Sequence, residues 1–252
     1  MQQNEIHMIT YGDTIYNDAK KRIYNEAIYS GFFKTVKVYS PNELSSNFRE
    51  KFNDILKMKR GGGYWIWKID IIMQRLREIE DDEILLYIDS GCTINKSGKN
   101  RLNEYIQLLK GSKYGIISFQ MPHYEIQWTI QELFNALSID SNTPIGYSGQ
   151  YVGGILLMKK NKHLYDILNT CIDILDYDKY LITDKYNELQ KKYFIDNRHD
   201  QSLLSLVRKI KGSIIIKDET YAFDSFNVIK DEKCINYPFL ATRNRSINSI
   251  II

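Results

Sequence analysis

The stretch Glu83–Cys92, EILLYIDSGC, carries the strongest indication of fold class in this chain. Its central run, ILLYI, shows no alternation of apolar and polar residues, which is typical of a strand buried on both faces of a parallel sheet. Asp89 follows where the strand ends, and Gly91 permits a close approach of backbone or ligand. Burying a carboxylate there costs desolvation free energy, unless the carboxylate is paired or binds a metal. Asp89 is therefore interpreted either as a turn or helix cap, or as a ligand for magnesium or manganese together with phosphate oxygens.

Outward from this strand, apolar runs and helical spacings alternate over the whole chain. Strands are predicted at residues 5–10, 34–40, 83–89, 114–120, 151–160 and 213–218. Helices are predicted at residues 16–31, 41–59, 68–80, 100–110, 128–137, 162–175 and 200–210, the first closed by Gly31. This alternation predicts an α/β fold with a mainly parallel central sheet flanked by helices, as a single domain over residues 1–252.

Ligands of such sheets bind beyond the carboxyl ends of the strands. That rule indicates Thr10–Asp13, Asp89–Cys92 and Gln120–Glu125, with His123 lining the same cleft. The sequence contains no G-x-G-x-x-G after the first strand, no G-x-x-x-x-G-K-[ST] and no G-x-S-x-G. These absences argue against dinucleotide-binding, P-loop and α/β-hydrolase sites.

Two further groups of polar residues have two readings each. In RHDQS, residues 198–202, Asp200 is either an N-cap or a base or sugar ligand, with His199 beside it as a second metal ligand or phosphate contact. In ATRNR, residues 241–245, Arg243 and Arg245 either clamp a diphosphate or belong to a solvated tail.

Composition and charge exclude several classes of protein. The net charge of +3 is too small to indicate a nucleic-acid partner. Three widely spaced cysteines without a C-x-x-C indicate neither a disulfide framework nor a zinc site. The polar N-terminus lacks a signal core, and no apolar run could span a membrane. We expect a protein of the cytoplasm or of the inner face of the membrane. The sequence does not indicate its oligomeric state.

Five segments in this order resemble a known group of enzymes. RGGGYWIWK (60–68), ILLYIDSGC (84–92), YEIQWTIQELF (124–134), YVGGILLMKK (151–160) and RHDQS (198–202) resemble nucleotide-sugar glycosyltransferases with the GT-A fold. Members occur in capsule and surface-polysaccharide loci of bacteria and in large viruses. The likeness covers roughly residues 5–245, and its specificity lies in the ordered set of motifs.

The resemblance implies a Rossmann-like domain that transfers a sugar from a nucleoside diphosphate sugar, with UDP favoured, to a saccharide hydroxyl. It also implies a hexosyltransferase-like enzyme with Mn²⁺ or Mg²⁺, in which Asp89 takes the first position of an Asp-x-Asp metal motif. Here Gly91 stands at the second position, so that Ser90 could add only a weak oxygen ligand.

The resemblance further assigns roles to individual side chains. It implies that the base and ribose are held by Thr10, Tyr11 and Asp13, and that the diphosphate charge is neutralised by Arg60 and Lys68. The wall of the donor pocket would be formed by Tyr64 and Trp65, and Trp67 would anchor the next helix. The side chains that lie toward the sugars would be His123, Glu125 and Trp128. An inverting reaction would use Asp200, or else Glu125, as the base; in a retaining reaction Asp200 would bind sugar.

Two other functions remain open at the level of sequence. One is a sugar nucleotidyltransferase, although the first strand is followed by TYGDTIYNDAKK, which lacks the glycine-rich basic loop of such enzymes. The other is a non-catalytic nucleotide- or glycan-binding module that has lost the second metal carboxylate.

Overall fold

The computed structural model describes residues 5–187, 189–221 and 235–248. The strands are β1 (Ile6–Tyr11), β2 (Thr35–Tyr39), β3 (Ile84–Ile88), β4 (Thr93–Ile94), β5 (Ile117–Tyr124), β6 (Gly149–Tyr151), β7 (Ile155–Lys159), β8 (Ile214–Lys217) and β9 (Phe239–Leu240). The helices are α1 (Asn17–Ser30), α2 (Ser46–Lys51), α3 (Asn53–Leu56), α4 (Gly61–Tyr64), α5 (Trp67–Glu78), α6 (Lys99–Lys110), α7 (Glu125–Trp128), α8 (Gln131–Ala136), α9 (Lys162–Tyr177) and α10 (Asp200–Lys211). Short 3₁₀ turns occupy Thr14–Tyr16, Pro41–Glu43, Lys96–Gly98 and Lys179–Ile182.

The central sheet has the predicted α/β character. Its strand order is β2-β1-β3-β7, with β1 parallel to both β2 and β3 and with β7 antiparallel to β3. A second group, β6-β5-β8, is joined to β7 by a bridge between Ile116 and Met158, and β5 pairs parallel with β8. The α/β class with a central, mostly parallel sheet and flanking helices is therefore confirmed; that the chain forms one domain stays a prediction.

Strand β3 lies at the centre and is covered on both faces, as its sequence predicts. All five of its residues are fully buried. Leu85 and Tyr87 pack into one apolar cluster together with residues of α5, α9 and α10, and the alternate residues pack into a second cluster with α1 and α6. Two-sided burial explains why this strand carries no polar residue until Asp89, because either face would leave a polar group without water.

Local signals predict some helices well and others only in part. Helix α1 ends at Gly31, whose φ of 68° is the left-handed conformation that glycine adopts at helix ends. The helix predicted at residues 128–137 is instead split, because Thr129 and Ile130 are extended. The stretch predicted as helix over residues 41–59 consists of a 3₁₀ turn and the short helices α2 and α3.

The structure also bears on the cysteines and on the expected lack of a membrane span. Cys92 and Cys171 are buried and free, whereas Cys234 lies outside the described residues. In the part of the chain that the structure describes, the helices are too short or too polar to cross a membrane.

A buried arginine joins the end of β3 to the C-terminal segment. The Arg22 guanidinium donates to the carbonyl of Ser90 at 2.8 Å and to that of Asn244 at 3.0 Å. It also pairs at 2.8 Å with Glu26, whose other oxygen accepts from the Ile94 N–H. Arg22 is 1 % exposed, so these contacts replace water that the charge has lost. The segment after β9 is thereby held against the turn that follows β3.

We expect Arg22→Met to lower the free energy of unfolding by about 3–5 kcal/mol, because it leaves the Glu26 carboxylate buried without its cation. Urea denaturation measures this loss, and hydrogen exchange should rise selectively in residues 239–245. The neighbouring exposed Lys21 provides the control: Lys21→Met should change stability by no more than about 0.5 kcal/mol. Equal effects of the two substitutions would contradict the role given to Arg22.

Candidate functional site

A cleft of about 1320 Å³ opens at the carboxyl ends of β1 and β3. Its walls come from the residues after these two strands, the second half of β5, the turn before β7 and the start of α10. All the side chains singled out in the sequence line this cleft, except for Thr10, Tyr64 and Glu125. Those that line it are Tyr11, Asp13, Arg60, Trp65, Trp67, Lys68, Asp89, Ser90, Gly91, His123, Trp128, His199, Asp200, Arg243 and Arg245.

The floor of the cleft is organised by the ammonium group of Lys68. This group hydrogen-bonds the carboxylate of Asp200 and, at 2.9 Å, the carbonyl of Gly153. Its distance to Asp89 Oδ1 is 3.9 Å. The Lys68 side chain is 2 % exposed, so the two carboxylates supply the solvation that water would otherwise give. The sequence predicts that Lys68 neutralises a diphosphate. In the structure its ammonium group instead pairs with these two carboxylates.

Burial sets the protonation behaviour of this group. Loss of hydration raises the pKa of Asp200 to about 6, although the charge of Lys68 acts in the opposite direction. Burial alone would lower the pKa of Lys68, but the charges of Asp200 and Asp89 outweigh it and raise the pKa. Near neutral pH the site therefore holds an ammonium ion beside an Asp200 carboxylate that accepts a proton on mild acidification. Such a pKa suits a general base.

Asp89 faces the open cleft, as its position after β3 predicts. Its side chain is 40 % exposed, and one of its oxygens accepts a hydrogen bond from the hydroxyl of Tyr87. The backbone N–H of Asp89 donates to the carbonyl of Gly154 at 2.8 Å, which fixes the turn.

The predicted Mn²⁺ or Mg²⁺ does not fit the donor set around Asp89. The described residues contain no group of three or more His, Cys, Asp or Glu side chains that could hold a metal ion. A dication on Asp89 would share its carboxylate with the Lys68 ammonium 3.9 Å away, where like charges repel. Asp200 is already bound by Lys68, and Gly91 contributes no ligand.

The glycine run forms a left-handed turn at the rim of the cleft. Five consecutive residues have positive φ: 59°, 58° and 95° at Gly61–Gly63, 53° at Tyr64 and 59° at Trp65. A Cβ on Gly61 would lie 2.5 Å from the Trp65 ring, and one on Gly63 would lie 2.8 Å from the Leu56 Cα. The fold itself therefore requires glycine at these two positions.

Trp67 anchors the helix that follows this turn, as predicted. It is 4 % exposed and stacks on Tyr11 with ring centroids 3.7 Å apart. Its indole N–H donates to the carbonyl of Gly61 at 3.0 Å. Trp65 also lines the cleft, and its ring stacks against His199 with ring centroids 5.7 Å apart.

Arg60 and Tyr64 hold a neighbouring loop. Arg60 pairs with Asp184 at 2.8 Å and with Asp196 at 3.1 Å, so its charge is already shared between two carboxylates. The Tyr64 hydroxyl donates to Asp184 at 2.9 Å, and the residue does not line the cleft. The sequence predicts Tyr64 as a wall of the donor pocket; in the structure its hydroxyl is held by this loop, and the residue is not among those that line the cleft.

The positions of Glu125 and Thr10 also contradict the roles predicted for them. Glu125 is fully buried, pairs with Lys209 at 2.9 Å and accepts hydrogen bonds from Thr129 and Ser205. Because both of its oxygens are bound inside the protein, Glu125 cannot reach an acceptor. Thr10 is also fully buried, so its hydroxyl does not reach a base or ribose.

The far wall of the cleft combines aromatic and cationic side chains. His123 and Trp128 make an edge contact at 5.9 Å, as part of the region predicted to face the sugars. Arg198 lies 4.2 Å above the Trp128 ring and was not assigned a role from the sequence. Its place directly before His199 and Asp200 in RHDQS is the signal that could have identified it.

His199 is held in an unusual conformation behind this wall. It is 2 % exposed, has a φ of 58°, and its Nδ1 hydrogen-bonds the carbonyl of Ile182 at 2.8 Å. Burial lowers the pKa of His199, which favours the neutral ring. A neutral, buried imidazole packed on Trp65 supports the cleft wall and is poorly suited to neutralise phosphate charge.

We expect Glu125→Gln to lower the free energy of unfolding by about 3–5 kcal/mol, since Lys209 would remain buried without its partner. The rate per folded molecule and the nucleotide affinity should stay unchanged, because Glu125 lies outside the cleft. Glu104→Gln, at a side chain that is 58 % exposed, is the control and should be near neutral. A loss of turnover without loss of stability would return Glu125 to the catalytic residues.

Comparisons with known proteins bear on the fold. No protein-family model matches the sequence, and no curated protein matches it. Among solved structures, mouse xyloside xylosyltransferase 1 in its apo form is similar with a TM-score of 0.51 and 9 % identity, over 88 % of each chain. The apo structure of the bifunctional glycosyltransferase WbbM is similar with a TM-score of 0.54 and 11 % identity, over 93 % of this chain and 45 % of that one. At these identities the likeness concerns the fold alone, and this chain has the GT-A fold of such glycosyltransferases.

Proposed function

We propose that the protein is a glycosyltransferase that moves a sugar from a nucleoside diphosphate sugar to a hydroxyl group of a saccharide acceptor. The observation that carries this proposal is the cleft of the GT-A fold, which is lined by aromatic side chains and by Asp200, a buried carboxylate with a raised pKa. UDP is the nucleotide we favour. From the sequence resemblance, we place the reaction in the synthesis of surface polysaccharide, in the cytoplasm or at the inner face of the membrane.

The donor nucleotide is proposed to lie along the end of β1. Tyr11, Asp13 and Trp65 line this side of the cleft together with Gly61 and Gly62. Aromatic faces suit a planar base, and a carboxylate suits ribose hydroxyls. The diphosphate would then extend toward the Asp89–Gly91 turn.

The acceptor is proposed to bind on the side of β5 and α10. Trp128 offers a flat face for a pyranose ring, and the neighbouring Arg198 and His123 offer donors for sugar hydroxyls. Asp200 lines the same cleft, and its carboxylate is proposed to meet a hydroxyl of the donor or the acceptor sugar.

In an inverting reaction Asp200 would act as the general base. The acceptor oxygen attacks the anomeric carbon, its proton passes to the carboxylate, and the bond between that carbon and the diphosphate oxygen breaks with its electron pair on the diphosphate. Lys68 would keep Asp200 oriented and ionised until that proton arrives. In a retaining reaction Asp200 would instead hold a sugar hydroxyl.

We expect one of the nucleotides UDP, GDP, CMP and dTDP, with UDP first, to raise the thermal unfolding midpoint. Binding at a hundred times Kd adds about 2.7 kcal/mol to the stability of the folded state, or roughly 5 °C or more for a chain of this size. Trp65→Ala should abolish the shift, whereas Tyr177→Ala, at a residue that is 78 % exposed, should keep it. No shift with any of the four nucleotides would refute the transferase proposal and would favour a glycan-binding module. Cleavage of the donor in a full reaction, absent from a binding module, completes the distinction.

We expect Asp200→Asn to reduce kcat by about 10²–10⁴ while nucleotide binding persists, because an amide cannot take the acceptor proton. The wild-type rate should fall as the pH drops below about 6, where protonation inactivates the carboxylate. Asp173→Asn, at an exposed position on α9, is the control and should keep the full rate. A wild-type rate that is independent of pH between 5 and 7 would contradict the assignment of Asp200 as the base (roughly one tenfold change per pH unit is expected below the pKa). The anomeric configuration of the product then separates inversion from retention.

A further inference from the structure

We propose that the diphosphate of the donor is neutralised by arginine side chains of the chain itself, with Arg243 taking the place that a divalent metal would hold beside Asp89. This inference rests on the proposed glycosyl transfer and deepens it. It starts from the misfit between the predicted metal and the side chains around the Asp89–Gly91 turn.

Gly91 stands where a second metal carboxylate would be, and the backbone does not require a glycine there. Its φ lies outside the left-handed range that side chains avoid. A Cβ added at this position would meet the Arg243 Cα at 3.6 Å, which is ordinary van der Waals contact. Neither backbone strain nor a clash of the Cβ therefore explains the missing carboxylate, and the segment packed against this position is the backbone of Arg243 and Asn244.

The backbone of Arg243 is fixed against this turn from both sides. The Thr242 hydroxyl contacts the carbonyl of Gly91 at 3.1 Å, and the Asn244 N–H donates to the same carbonyl at 2.8 Å. Arg22 binds the carbonyls of Ser90 and Asn244 together, as described above. The segment that carries Arg243 is thus built onto the Asp89–Gly91 turn and is not a solvated tail.

Arg243 itself adopts a conformation that a residue with a side chain rarely takes. Its φ is 54°, which costs about 1–2 kcal/mol relative to ordinary backbone for a residue other than glycine. Glycine would relieve this strain, so an arginine here suggests that the side chain is used. The side chain lines the cleft, is exposed, and hydrogen-bonds Tyr221.

The distribution of charge in the cleft favours the same assignment. Lys68 is engaged by Asp200 and Asp89, and Arg60 is engaged by Asp184 and Asp196. Among the described residues, neither Arg243 nor Arg245 forms an ion pair with a carboxylate. Both guanidinium groups remain charged at neutral pH, and each can bind phosphate oxygens through two N–H groups.

This arrangement supplies the charge that the reaction needs. When the bond to the anomeric carbon breaks, the bonding electron pair stays on the diphosphate, whose negative charge increases. Guanidinium donors that are already placed at this end of the cleft stabilise that charge as it develops. Arg245, whose guanidinium lies 5.1 Å from the Tyr16 ring, is placed on the donor side of the same cleft.

The test is calorimetric titration with UDP, performed once with excess EDTA and once with Mn²⁺. We expect the wild-type Kd to agree within about twofold between the two conditions, and Arg243→Ala to raise Kd at least tenfold in both. Arg49→Ala, at an exposed arginine on α2 outside the cleft, is the matched control and should bind as the wild type does. Unfolding midpoints without ligand show whether each variant is folded.

A second variant tests the same inference by gain of function. Gly91→Asp completes an Asp-x-Asp motif at a position where an added Cβ makes only ordinary van der Waals contacts. We expect it to weaken UDP binding in EDTA, because the new carboxylate repels phosphate and pairs with Arg243, and Mn²⁺ should restore the binding. The wild type would thus differ from Gly91→Asp in its response to metal.

The outcomes separate this inference from the function on which it rests. Wild-type binding that is lost in EDTA and present with Mn²⁺ would overturn the inference and leave the glycosyltransferase proposal in place. Unchanged binding in Arg243→Ala would overturn the assignment of that arginine. If none of UDP, GDP, CMP and dTDP binds under either condition, the proposed function itself fails.

Discussion

The buried ammonium group of Lys68 is the constraint on which the site depends. A fully desolvated cation is costly unless carboxylates and carbonyls surround it, and removing one partner of such a group costs several kcal/mol. Lys68 lies near the start of α5, Asp89 follows β3, and Asp200 opens α10. The three elements are distant in the sequence, so a single charge fixes the register in which a strand end and two helix starts meet. Removing the ammonium would leave two acids close together at the floor of the cleft.

A second buried cation, Arg22, holds the C-terminal segment in place, as Lys68 holds together the floor of the cleft. Its guanidinium spans the carbonyls of Ser90 and Asn244, and Glu26 balances its charge. The residues after β9 consequently form part of the cleft wall. The two cations share one principle: each is held inside the protein by oxygens from different segments, so that the cleft forms only when the chain has folded as a whole.

The glycine run and the aromatic residues beside it stabilise one left-handed turn together. Flexible and stiff residues stand next to each other because the left-handed turn can form only with glycine at its crowded positions, while the rings stabilise it from outside. The Trp65 ring covers Gly61, and the indole N–H of Trp67 binds the Gly61 carbonyl. Both tryptophans line the cleft, but Trp67 is almost fully buried, whereas Trp65 is only partly buried.

Sequence patterns determined the parts of this protein whose cause is local. The unbroken apolar run of β3 requires cover on both faces, Gly31 ends α1 because glycine tolerates the left-handed conformation, and Asp89 and Asp200 follow from the strand end and the helix start that carry them. Only the tertiary structure decided which polar groups reach the cleft. Glu125 is removed from it by Lys209 and Ser205, some 80 residues further along the chain, and Arg60 is engaged by a loop even more distant. The charge state and accessibility of a side chain are set by the groups packed around it, and those neighbours lie beyond the range of any local sequence pattern.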